Sequence, residues 1–252
     1  MRRLGLVLCL AAFVGCFRNP PVERDEWPVM GTVAAVQSKR AGVSARAHAR
    51  YVARIDFGKV EELLNAHVED SEISRLATLP DAEVLAACAA WTRPCYETAF
   101  ALAKQTDGAF SPRWRGTNTL DLGAVAKGFA VDRAEKSVRN ETRNGDFLLD
   151  LGGNLKAVRG DWSVGIKDGK SFTLKEGEAC ATSARYYRGA HIVDARTRKP
   201  VGDGVHSVTV VHPTSAMLAD GLSTVLFILG REKGEAFLRE RHPEARAIWI
   251  MD

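Results

Sequence analysis

The stretch Thr119 to Ala134, TLDLGAVAKGFAVDRA, constrains this chain more than any other. A short apolar lead-in ends in an acid, Asp121. Gly123, Ala124, Ala126 and Gly128 then leave one side of the chain almost free of side chains, with Lys127 standing among them. An amphipathic helix is expected to follow through about Val138. A helix start offers unpaired N–H groups and the positive end of a dipole, and small residues let a phosphate reach them. A strand, an acid and a small-residue helix start also suit plain tight packing of a helix on a sheet. On this stretch alone the two readings weigh equally.

A second stretch adds oxygen ligands. In ALADGLST, Asp220 and Thr224 fall one helical turn apart on one face, with Ser223 beside them. One carboxylate and neighbouring hydroxyls suit a hard cation such as Mg²⁺, with waters and a substrate phosphate completing its shell. No His/Cys grouping argues for zinc. A local cap at Asp220 and a packed Thr224 are the plainer explanation of the same residues.

The first residues, MRRLGLVLCLAAFVGC, join a basic start (Arg2, Arg3) to an apolar run too short to span a membrane. That order fits an export signal over residues 1–15. Gly15-Cys16 at its end resembles the processing site of bacterial lipoproteins, with Cys16 as the lipid-modified N-terminus. An ordinary cleaved signal is the alternative. Residues 16–26 then read as a polar, proline-containing tether, and residues 27–252 as one domain. The formal charge of +4 includes Arg2 and Arg3 of the leader, so the balance of the domain gives no reason to expect nucleic acid. Cys88, Cys95 and Cys180 remain beyond the leader, an odd number without metal-ligand spacing. Cys88 and Cys95 lie too far apart to bridge within one helix, but Pro94 breaks such a helix. A disulfide and buried free thiols therefore both stand.

Taken in order, VMGTVAAV (Val29–Val36) predicts a strand entered through a tight turn. Apolar spacing predicts a long helix from about Ser44 to Ala66, interrupted near Gly58. Helices are expected over Asp81 to Trp91, with Asp81 as N-cap, and from Pro94 to about Gln105. Phe147–Leu155, Trp162–Asp168, SFTL, EACATS, His206–His212 and the closing RAIWIMD read as strands. Ser215–Leu229 and Glu232–Arg241 read as helices. Helices in blocks and an excess of strands predict an α+β fold with mixed sheets and packed helices.

In chain order, VMGT, SEISRL, TDGAF, LDLGAVAKGFAVD, LLDLGGN, ATS with HIVDARTRKPV, and ADGLSTVLFILG are similar to blocks of one family. The chain resembles the FAD:protein FMN transferases, the ApbE-like (T-fold-like) flavin transferases of bacteria. The resemblance implies an enzyme that uses Mg²⁺ and FAD. Such an enzyme would move FMN to a threonine or serine hydroxyl of an acceptor protein of a membrane redox complex and release AMP. It places Met30, His67, Ala109, Phe110, Ser111, Asp121, Lys127 and Ile192 around the flavin nucleotide. It places the Ala124 carbonyl, Asp220, Ser223 and Thr224 around the metal, and it makes His191 the candidate base for the acceptor hydroxyl, with Asp220 beside it in catalysis. An exported, lipid-anchored enzyme facing the periplasm or cell exterior is the expected setting.

The match departs from the family in three places. Ser111 stands where an acid is usual, and His67 where an aromatic residue commonly precedes the SEIS block. Only PRWRGTNT (Pro112–Thr119) joins GAFSP to LDLGAVAKG, where the family has a much longer segment that helps wall the nucleotide site. An opened cleft makes two other functions worth weighing. One is an FAD pyrophosphatase that gives FMN and AMP to water. The other is an inactive, membrane-tethered flavin-binding lipoprotein, against which the retained Asp121, Asp220 and Thr224 argue.

Overall fold

A two-residue turn starts the domain. In the computed structural model, which describes residues 20–166, 169–185, 192–201 and 204–252, β1 (Glu23–Val29) and β2 (Thr32–Lys39) pair antiparallel through Met30 and Gly31. Both turn residues have positive φ, 52° and 65°, the twist that a tight hairpin requires. A methionine pays sterically for that conformation, and its amide is held by Glu61 Oε1 at 2.8 Å. Glu23 to Glu26, expected in the tether, are paired with Ser38 to Ala35 in the sheet. The ordered domain therefore takes in residues 23–26, because their alternating backbone bonds complete an edge strand.

α1 (Val43–Leu64) buries Ala49, Ala53, Phe57, Val60 and Leu64, one stripe at helical spacing, and runs unbroken past Gly58 where an interruption was expected. α2 (Glu72–Leu76) is capped by the Ser71 hydroxyl on Ser74 N–H. α3 (Asp81–Ala87) is shorter than expected, and Pro80, not Asp81, holds its cap position. α4 (Arg93–Gln105) carries Pro94 in its first turn, as the spacing predicts. α5 (Ala126–Glu141) follows the small-residue run. Its apolar lead-in is a loop and not a strand: Asp121 N–H donates to the Pro112 carbonyl at 2.8 Å.

β3 (Asp146–Leu151), β4 (Asn154–Arg159), the hairpin β5 (Trp162–Gly165) and β6 (Ser171–Leu174), and β7 (Ala179–Ala184) come next. The short pair β8 (Val193–Asp194) and β9 (Lys199–Pro200) precedes β10 (Val205–His212). α6 spans Ala216–Arg241, and non-helical angles at Gly230 (φ 74°, ψ 172°) divide it close to the gap expected between two helices. β11 (Arg246–Met251) closes the chain.

The large sheet has the order β1-β2-β3-β4-β7-β10-β11, and each of its pairings is antiparallel. This is an α+β architecture. α1, α5 and α6 supply the main core with Phe57, Phe129, Leu222 and Phe227. A smaller core on Leu148, Ala157, Cys180 and Val211 is covered by Trp162, Val164 and Leu174 of the β5–β6 hairpin. Cys88, Cys95 and Cys180 are buried free thiols, so the disulfide alternative is not realised. Burial pushes the Cys180 thiol up to about 12, which keeps it protonated and inert.

Candidate functional site

The site grows from the contact between α5 and α6. Ser215 and the small residues Ala216, Ala219 and Gly221 let α6 approach α5 and α4 closely. A Cβ on Gly128 would lie 2.6 Å from the Ala216 carbonyl carbon, and one on Gly221 would lie 2.5 Å from Leu102 Cδ1. Backbone stands against Gly128, so glycine is required there, whereas at Gly221 the nearest atoms are methyl groups of Leu102 and Val125. Both glycines were visible in the sequence as small residues, but their opposed placement was not.

This approach buries Asp220 beside the opening turn of α5. Its Oδ2 accepts the Gly128 N–H at 3.1 Å and faces Lys127 Nζ at 3.6 Å. The Gly128 N–H is one of the amides that a helix start leaves without an intrahelical partner, and the carboxylate takes it. Lys127 also donates to the Gly123 carbonyl at 2.9 Å. Burial pushes the Asp220 carboxyl above the usual carboxylate range, with the Lys127 charge, the Gly128 amide and the Asn154 side chain pulling the other way. Asn154 is itself buried, and its Oδ1 has no hydrogen-bond partner.

Ser223 and Thr224 sit on the same stretch of α6 but face β7. Ser183 Oγ lies 2.9 Å from Ser223 Oγ and 3.3 Å from Thr224 Oγ1, and Ser223 also donates to the Asp220 carbonyl at 2.8 Å. Ser183, which fixes both hydroxyls, was not singled out from the sequence; its place in the ATS block was the available signal. Among the described residues no hydrogen bond or ion pair joins Asp121 to Lys127. Its Oδ1 accepts the Gly123 N–H at 2.8 Å, and its Oδ2 accepts Trp114 Nε1–H at 3.1 Å with Arg115 at 3.5 Å. Asp121 therefore shapes the turn whose Gly123 carbonyl holds Lys127.

Arg113 makes most of the side-chain bonds that tie down the shortened segment 112–119. The Arg113 guanidinium donates to the carbonyls of Ala77, Leu79, Thr117 and Thr119 and pairs with Asp81 at 2.7 Å. Ser111 Oγ accepts the Arg113 N–H, so this position closes a turn. Ala109 and Phe110 are buried, and the Ala109 carbonyl accepts the Ala195 N–H at 2.9 Å. That bond joins them to the β8–β9 pair, beside which the Ile192 carbonyl accepts Val201 N–H at 3.0 Å. His67 is exposed, its amide bonded to Asn65 Oδ1, and among the described residues nothing joins its ring to Asp220. His191 and Cys16 lie outside the described residues.

The buried Asp220 carboxylate, only partly offset by one lysine, with the Thr224 hydroxyl one turn further along α6, offers oxygen of the kind a hard divalent cation takes, and the buried Asn154 Oδ1 is left without a partner. Among the described residues no group of three or more His, Cys, Asp or Glu side chains offers a rival metal site. These residues fit Mg²⁺ held with waters and ligand phosphate.

Comparisons with known proteins bear on the fold and the family. The model of the ApbE family matches residues 113–249, more than half of the chain. A Klebsiella pneumoniae protein named FAD:protein FMN transferase is 34% identical over 193 residues, which cover 69% of this chain and 57% of that protein. Another of the same name and species is 25% identical over 243 residues, covering 88% of this chain and 66% of that protein. The crystal structure of the Pseudomonas stutzeri flavinyl transferase ApbE, apo form, superposes with a TM-score of 0.77 at 21% identity over 92% of each chain. The ApbE protein of Thermotoga maritima gives 0.74 at 22% identity, covering 92% of this chain and 94% of that one. The chain spans less than two thirds of the length of these two Klebsiella relatives. Fold, order of motifs and matched span together place this chain in the ApbE family.

Proposed function

We propose that the chain is an FAD:protein FMN transferase, Mg²⁺-dependent, acting on a threonine or serine hydroxyl of an exported acceptor protein. The observation that carries this reading is the buried Asp220 set against Lys127 and the Gly128 amide at the start of α5. A carboxylate kept in a desolvated place with insufficient compensating charge is costly to the fold, and a cation–phosphate ligand supplies what is missing. The names of the relatives support the same activity.

In the proposed reaction the P–O–P bond of FAD breaks and a P–O bond forms between the FMN phosphorus and the acceptor oxygen. AMP leaves, and the hydroxyl proton passes to a base, the role assigned to His191. Bound Mg²⁺ supplies Lewis-acid stabilisation of charge developing on the pyrophosphate. Asp220, Thr224 and the Ala124 carbonyl would hold it. Lys127 can pivot between the Gly123 carbonyl, Asp220 and a phosphate oxygen, as a flexible point charge does. Asp121 holds the turn that presents Lys127, and Met30, Phe110 and Ile192 belong to the walls proposed for the nucleotide.

Hydrolysis of FAD to FMN and AMP is the second reading. The short 112–119 segment favours it, since less covering chain leaves water freer to replace the acceptor. Export through residues 1–15, a lipid on Cys16 and a place on the outer side of a bacterial membrane complete the proposal. Among the described residues no helix is long and apolar enough to cross a membrane. Incubation with FAD, Mg²⁺ and candidate acceptor domains separates these readings. A fluorescent acceptor band supports transfer, free FMN with AMP supports hydrolysis, and unchanged FAD defeats both.

A further inference from the structure

We infer that Asp132 is a positioning residue for the Asp220 site, acting by fixing where α6 begins along α5; this rests on the proposed cation-dependent function. Asp132 lies on α5, just over one turn beyond Gly128. Its Oδ2 accepts from Ser215 Oγ at 2.8 Å and from Met217 N–H at 3.0 Å, while Oδ1 accepts the Ala216 N–H at 2.8 Å. Three donors at the start of α6 thus converge on a carboxylate belonging to another helix. Ser215 meanwhile performs the ordinary cap, accepting Leu218 N–H at 3.1 Å.

The same carboxylate faces Lys156 of β4, whose amine is buried and lies 3.6 Å from Oδ1. Lys156 also donates to the Thr214 carbonyl, so β4 and α5 grip the same few residues from two sides. One turn of α5 before Asp132, Gly128 touches the Ala216 backbone and gives its amide to Asp220. α6 is therefore fixed against α5 at both ends of one short segment. The Asp132 clamp sets the axial position at Ala216, and one turn further Asp220 falls opposite Gly128 and Lys127. A slip of α6 by a fraction of its rise would separate the Asp220 carboxylate from that amide. Groups that orient a ligand without touching the metal ordinarily change metal affinity about 10–100-fold when lost.

Asp132→Asn keeps the shape of the side chain but loses its charge and one of its acceptor oxygens. Calorimetric Mg²⁺ titration in the presence of FAD, and amide exchange at Gly128, are the two measurements. In Asp132→Asn the dissociation constant for Mg²⁺ is expected to rise about tenfold or more. Gly128 is expected to exchange faster than residues at the far end of α5, such as Val138. Ser215→Ala, which leaves both backbone bonds to Asp132, should change Mg²⁺ affinity far less. An Asp132→Asn protein that is folded, less stable and unchanged in both Mg²⁺ affinity and Gly128 exchange would reduce Asp132 to a stabilising cap and overturn the inference. If the unsubstituted protein takes up no Mg²⁺ with FAD, the proposed function fails instead, and Gly128 exchange still decides whether Asp132 sets the helix position.

Discussion

Gly128 meets Ala216 backbone to backbone, and this one contact brings α5 close enough for the Gly128 amide to reach Asp220. Gly128→Ala is accordingly expected to destabilise the fold by about 1–3 kcal/mol, the usual cost of overpacking. The gain in helix propensity of about 1 kcal/mol works against this and is outweighed, because backbone atoms cannot swing aside as a side chain can. Chemical denaturation of both proteins measures it. Unchanged or increased stability would mean that α6 gives way without cost.

Lys127 is the cation that partly offsets the Asp220 carboxylate. Lys127→Met removes it while keeping the aliphatic stem, so Asp220 is expected to titrate still higher. Leaving a buried polar or charged group without its partner costs about 1–3 kcal/mol. Burial already raises the Asp220 carboxyl in the folded state, so its ionisation opposes folding above the unfolded carboxylate range. The stability deficit of Lys127→Met should therefore grow as pH rises and shrink on acidification. A deficit independent of pH would contradict the pairing.

His212 gives stability a second pH dependence. Its Nδ1 accepts the N–H groups of Thr214 and Ser215 at 3.2 and 3.0 Å, and its Nε2 faces Glu244 at 3.4 Å. Burial holds the ring below the usual histidine value, opposed by Glu244 and Asp132 and assisted by Lys156. Protonation at Nδ1 would also set a third donor against two amides. The folded state binds the proton less readily than the unfolded chain. Stability is thus fully present above about pH 6.5 and falls as pH drops from there toward the lowered folded value. His242, also lowered by burial, adds in the same direction. His212→Gln should flatten the profile between about pH 5 and 7 in thermal melts, and an unaltered profile would contradict this role.

Arg113 replaces, with one guanidinium, much of what a longer segment would need to order itself. Arg113→Gln is expected to loosen residues 112–119 and expose the neighbouring Arg115 to trypsin, since exposed and poorly bonded loops are nicked first. Limited proteolysis with fragment masses reads this directly. Cleavage after Arg115 at the unsubstituted rate would show that Trp114 and its bond to Asp121 hold the loop alone.

The fold class was legible because its signals are local. The apolar spacing of α1, Pro94 in the first turn of α4 and the alternation of β5 each follow from one element's own geometry. The edge strand β1 was not legible: ERDEWPV is charged and contains proline, as an exposed edge permits, and only its partner β2 reveals it. The lead-in to α5 misread as a strand because its leucines bury themselves as well from a loop. As candidates, Asp121, Lys127 and Asp220 follow from residue type and from the order of motifs. Their actual pairing, Lys127 with Asp220 and Asp121 with Trp114, depends on how two distant helices meet, and no spacing along the chain encodes that.

The most direct test of the account is FAD turnover against Mg²⁺ concentration in the unsubstituted protein, Asp220→Ala and Thr224→Ala. A single buried carboxylate holding the cation predicts that activity requires Mg²⁺ and vanishes with Asp220→Ala. Thr224→Ala should retain some activity at a higher Mg²⁺ requirement. Full turnover in EDTA, or an Asp220→Ala protein that turns over normally, would contradict the site.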